Sequence, residues 1–158
     1  MCGPETTNRP RGGALAALSP PSTPVSLPRS TLCGDLAFHT PGNPGSTNAT
    51  HARLTPEEVC HHTALSDLCV VIHSSGDLTR NPADCGLFRQ FTIPAKLTSQ
   101  NGEYYELALE SPLSLAVGND GIIGRRVSLC SGSSLDRDNI VAEGIVGFNF
   151  MRPVQPTL

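Results

Sequence analysis

Val70-Val71-Ile72-His73-Ser74-Ser75-Gly76-Asp77-Leu78-Thr79 is the stretch on which the reading of the fold turns. Its first half is short, apolar and β-branched, and its second half breaks into Ser, Gly and Asp, so a strand runs from Leu68 to His73 and ends in a tight turn. Asp77, following Gly76, has the chemistry of a turn residue whose carboxylate accepts from nearby backbone N–H groups. Similar apolar runs recur between turn signals on both sides. They are Leu32 to Phe38, Phe91 to Leu97, Tyr104 to Leu109, Ile122 to Leu129 and Ile140 to Phe148. Runs of this length, partly alternating as in Arg125-Arg126-Val127-Ser128-Leu129, are the pattern of an all-β sandwich or barrel. Thr40 to Thr47 reads as a loop. Ser99-Gln100-Asn101-Gly102 is the strongest hairpin signal, because Asn-Gly supplies the positive-φ pair of a type I′ turn, and two adjacent antiparallel strands are expected to flank it. Leu54 to His62 carries a capping-box pattern at Thr55 and Glu58, yet strand or irregular structure is the preferred reading.

Composition bounds the function. At 158 residues and 38% hydrophobic the chain holds one ordinary core. Residues 1–30 are rich in Pro, Gly, Ser and Thr and are expected to form a disordered tail; 31–150 are expected to be the β domain and 151–158 a short C-terminal tail. A net charge of -3 gives no basic face for nucleic acid or an acidic membrane. No apolar run approaches the ~20 residues of a membrane span and no signal-peptide layout opens the chain, so a soluble intracellular protein is expected. Six cysteines (Cys2, Cys33, Cys60, Cys69, Cys85 and Cys130) occur without a C-x-x-C pair, which argues against a zinc knuckle and for reduced thiols. The sequon Asn48-Ala49-Thr50 matters only in a secretory chain.

Three blocks, Val70 to Thr79, Gly121-Ile122-Ile123-Gly124-Arg125 and Ala142-Glu143-Gly144-Ile145-Val146-Gly147-Phe148, together resemble the Cu/Zn superoxide dismutase family, which writes them H-x-H-x-x-G-D-L-T, I-I-G-R and A-C-G-V-I-G. The resemblance covers about Leu32 to Phe148. It implies a Greek-key β-barrel or sandwich with shortened zinc and electrostatic loops, the latter cut to about Ser131 to Asn139. Gly76, Gly86, Gly124, Gly144 and Gly147 are retained at turns and close approaches.

The same resemblance implies that the metal chemistry is gone. Copper needs several imidazoles converging on one ion, and an H-x-H pair on one strand face delivers two. Here that pair reads Val71-Ile72-His73, so His73 alone remains. The family's bridging His falls at Phe88 in Cys85-Gly86-Leu87-Phe88, and its last copper His at Cys130. The Arg that guides superoxide falls at Ile140, and the Cys of A-C-G at Glu143, which leaves Cys85 without its family disulfide partner. The expectation is therefore a protein with no catalytic residues, no metal site and no cofactor, in which His73 and Cys130 are degenerate remnants. Cys130 reads first as a small buried filler and His73 as a hydrogen-bonded remnant. The alternative is residual copper or redox chemistry at His73 and Cys130, joined by one of His61 and His62. Among relatives, the poxviral dismutase-like virion proteins look most similar. They imply a late viral protein in the virion and host cytoplasm that engages other virion proteins, the host copper chaperone or the host dismutase.

Overall fold

The structure, a computed structural model, describes residues 12–20, 33–56, 67–80, 84–94, 104–131 and 140–149. Within them all regular structure is strand: β1 Ala14–Leu18, β2 Gly34–His39, β3 Asn48–Pro56, β4 Leu68–Ile72, β5 Arg89–Ile93, β6 Tyr105–Val117, β7 Gly121–Ile123, β8 Arg126–Cys130 and β9 Ile140–Phe148. The hydrogen-bonded order is β5-β4-β8-β9-β1-β2-β3-β6-β7. All pairings are antiparallel except a short parallel contact between β6 and β7. The two ends of this order are not joined, so the sheet is curled without being a closed ring.

Strand β9 holds the curl together because it pairs with β8 along one edge and β1 along the other. The inward faces then meet in one core. Leu68, Val70 and Ile72 from β4 and Val127 and Leu129 from β8 lie in the same buried cluster as Leu36, Phe38 and Leu54 from β2 and β3. Phe38 meets Phe91 of β5 edge to face, centroids 6.3 Å apart, although β2 and β5 are far apart in the strand order. Side-chain sizes explain the fit of β1. Ala14 and Ala16 stand opposite Phe38 and Leu36, and Ala52 faces Phe38 from the other side, so Phe38 is flanked by small residues on both neighbouring strands.

Several expectations are corrected. Strand β1 lies inside the stretch read as a tail, with Ala14, Ala16 and Leu18 buried. Its Ala-rich sequence carries little β propensity, and pairing on both edges supplies what propensity does not. The Asn101-Gly102 turn lies outside the described residues, but β5 and β6 are not partners: β5 pairs with β4, and β6 with β3 and β7. A turn signal fixes a reversal of the chain and says nothing about which strand edge each arm finds. The run Ile122 to Leu129 is split into β7 and β8 at Gly124, whose φ of 88° favours glycine. The Thr40 to Thr47 loop holds two turns, closed by Asn43 N–H donating to Thr40 O at 3.0 Å and Ser46 N–H to Asn43 O at 3.1 Å. Residues 54–56 are strand, and 57–66, including His61 and His62, lie outside the described residues. Cys33 is disulfide-bonded, against the expectation of reduced thiols, whereas Cys69, Cys85 and Cys130 are free.

Gly144 marks the tightest approach of β9 to β1, since a Cβ there would meet the carbonyl oxygen of Ala17. Gly144→Ala is therefore expected to lower the unfolding free energy by about 1–3 kcal/mol through overpacking. Gly45→Ala, where nothing lies in the way, should change it by less than about 0.5 kcal/mol; urea unfolding of the two variants measures the difference.

Candidate functional site

The outward face of β4 and β8 is where the family resemblance would put a metal, and the period of two along each strand brings Cys69, Val71 and His73 to it from β4. Ser128 stands opposite Val71, and Cys130 opposite Cys69. His73 is fully buried. Its Nδ1 lies 2.9 Å from the carbonyl oxygen of Gly86, which can only accept, so the ring proton is on Nδ1. Burial, the largest influence, holds the imidazole below its ordinary pKa of 6.5, although the Gly86 bond favours the charged form. The ring is therefore neutral, and Nε2 accepts from the Ser128 hydroxyl at 2.9 Å. A metal-binding histidine shows the same Nδ1–H to carbonyl arrangement with Nε2 left for the ion. Here a hydroxyl takes that place. The Ser128 and His73 pair also has the spacing of a nucleophile and its base, and both side chains are wholly buried.

The other positions singled out in the sequence are filled by packing. Val71, Cys130, Cys69 and Ile140 form a second buried cluster on this face. Burial first, and then the neighbouring Cys69, push the Cys130 thiol up to about 12. The register sets Cys130 against Cys69, while His73 is bonded to Ser128. Phe88 lies beneath Arg125, whose guanidinium carbon is 3.9 Å from the ring centroid. That guanidinium also donates to the carbonyls of Gly121, Ser74 and Asn119 at 2.6, 2.9 and 2.6 Å. Asp77 behaves as its sequence implies. Its Oδ1 accepts from Thr79 N–H at 2.9 Å and from the Thr79 hydroxyl, bonds that lower the pKa of this exposed carboxyl.

Two clusters were not visible in the sequence. Arg126 and Glu143, both buried, form an ion pair between β8 and β9. Arg126 also donates to the carbonyls of Asp77 and Arg80 at 3.2 and 2.8 Å and points one N–H at Cys85 Sγ at 3.5 Å. Thus Cys85 and Glu143 face each other across one guanidinium. On the outer side of β2, β3 and β6, His39 Nε2–H donates to Glu106 Oε1 at 2.7 Å, and Arg53 Nε–H approaches the same oxygen at 3.2 Å. Burial keeps His39 below its ordinary pKa in spite of Glu106, while the bonds from Arg53 and His39 hold Glu106 low against its own desolvation. A period-two reading would have put His51 and Arg53 on one face, but the pairing with Glu106 depends on register across β6. Among the described residues no group of three or more His, Cys, Asp or Glu side chains is placed to hold a metal, and no helix is long and apolar enough to cross a membrane. No protein-family model matches the chain, and no curated protein matches it.

Removing one partner of a buried pair strands the other charge. Glu143→Ala is expected to cost about 3–5 kcal/mol, and Arg126→Met combined with Glu143→Leu should recover most of that loss; a double-mutant cycle by denaturant unfolding reads both. Protonation gives a second outcome. Because His73 and His39 are held below 6.5 in the folded protein, the unfolded chain binds more protons just below that pH. Their contribution is present above 6.5 and is lost as pH falls from 6.5 toward their folded values. Urea midpoints at pH 7.5 and 5.5 should show lower stability at 5.5, with a smaller drop in His73→Gln.

Proposed function

We propose that this chain is a catalytically inactive protein of Cu/Zn superoxide dismutase type that acts by binding. The observation that carries the reading is the Ser128 hydroxyl at 2.9 Å from Nε2 of His73. The one surviving imidazole of the metal pair spends its free nitrogen inside the protein. The strand order supports the Greek-key form: the chain leaves β3, makes the β4–β5 pair in the other half and returns to put β6 beside β3, a return of the Greek-key kind. The sequence resemblance to poxviral dismutase-like proteins adds a virion component present in host cytoplasm, engaging other virion proteins, the host copper chaperone or the host dismutase. The disulfide at Cys33 weights this toward the particle, since a reducing cytoplasm does not keep disulfides. The alternative is a residual copper protein, for which His73 and Cys130 would both have to be released from their present partners.

The expected outcome is background superoxide dismutation and well under one copper or zinc per chain in protein purified from metal-supplemented cells, measured by activity assay and mass spectrometry on one sample. Near one copper per chain with activity abolished by His73→Ala would reverse the proposal. For the partner, affinity capture from host cytoplasm should recover the copper chaperone or the dismutase; recovery of neither removes that part.

A further inference from the structure

Cys69 and Cys130 face each other directly across the antiparallel β4–β8 pair. Directly opposed residues in such a pair have Cβ atoms about 4.5–5.5 Å apart, and a disulfide needs about 3.5–4.5 Å, so a sub-ångström to ångström adjustment separates the two states. Both thiols are free and buried, walled by Val71 and Ile140. The third free thiol, Cys85, is engaged elsewhere, by Arg126 and by the Asp77 carbonyl, to which it donates at 3.4 Å.

We propose that Cys69 and Cys130 are an oxidisable dithiol whose product is a cross-strand disulfide fastening β4 to β8. The oxidant is a low-molecular-weight disulfide such as oxidised glutathione. Cys69 reacts first: it is the more accessible at 8% against 1% exposure, with Gln90 Nε2–H donating to its sulfur at 3.2 Å. The Cys69 thiolate attacks one glutathione sulfur and expels one glutathione thiolate. Cys130, giving up its proton, then attacks the Cys69 sulfur and expels the second. Two protein thiols lose two electrons and two protons, and one glutathione disulfide becomes two glutathione thiols. Joining these positions closes a loop of about 60 residues, which restricts the unfolded chain far more than the folded one.

The test refolds the full chain in a glutathione redox buffer, so that burial cannot withhold the thiols. Remaining thiols are then alkylated under denaturing conditions, and peptides are mapped without reduction. The expected map has Cys69 linked to Cys130 and Cys85 alkylated, with Cys33, already half of a disulfide, as internal control. In Cys69→Ser, Cys130 should be alkylated. The linked protein should melt about 5–15 °C above Cys130→Ser under the same conditions. Cys69 and Cys130 both alkylated while Cys33 is linked, or either one linked to Cys85, would overturn the proposal.

Discussion

Burying the charges of Arg126 and Glu143 is the constraint around which the rest of this site is arranged. Each ion alone would cost several kcal/mol to desolvate, and the pair is tolerable because most of its remaining hydrogen-bonding capacity is met. Glu143 on β9 meets one end of the guanidinium, and the carbonyls of Asp77 and Arg80 meet the other. Those carbonyls belong to the loop after β4, so a single side chain on β8 fastens β9 and that loop to the sheet. Arg126 Nε has no protein partner among the described residues, so the arrangement is not fully satisfied. An unpaired buried donor costs about 1–3 kcal/mol. A covalent link between Cys85 and position 143 would hold the same loop without burying charge, and the ion pair does that work here through a third residue.

The position of His73 follows from this anchoring. With the Asp77 and Arg80 carbonyls held by Arg126, the backbone carbonyl of Gly86 sits against Nδ1 and sets the tautomer, and Ser128, adjacent to the ion pair on β8, takes up Nε2. Phe88 is likewise set in place, its N–H bonded to Ile72 O at 2.8 Å and its ring under Arg125. The Ser128 hydroxyl occupies His73 Nε2, while Cys69, Val71, Cys130 and Ile140 pack together on the same face. The outward face of β4 and β8 is consequently as buried as the inward one. Strand β4 accordingly reads as a short apolar run without polar alternation.

Legibility in the sequence tracks how local each cause is. Strands β4, β8 and β9 were readable because their apolar, β-branched runs are bounded by turn residues, and the Asp77 turn because its hydrogen bonds stay within two residues. Strand β1 was not readable: alanines become core residues only when Phe38 and Leu36 stand opposite them. The partners of β5 and β6 were missed for the same reason, since an Asn-Gly turn carries no information about distant edges. At the site, Val71, Phe88, Cys130 and Glu143 could be singled out from the sequence, but the partners they meet could not. Ser128 looks like any strand serine until register sets it beside His73, and Glu143 like a misplaced surface residue until Arg126 is found against it.

The claim on which this account rests is that the His73 imidazole is closed off inside the protein as a neutral Nδ1–H tautomer. Two-bond nitrogen–proton correlation spectra of the imidazole, recorded at neutral pH before and after one equivalent of copper, test it directly. The account predicts an Nδ1–H pattern for His73 that copper leaves unchanged. An Nε2–H or doubly protonated ring, or selective loss of the His73 signals on adding copper, would contradict it.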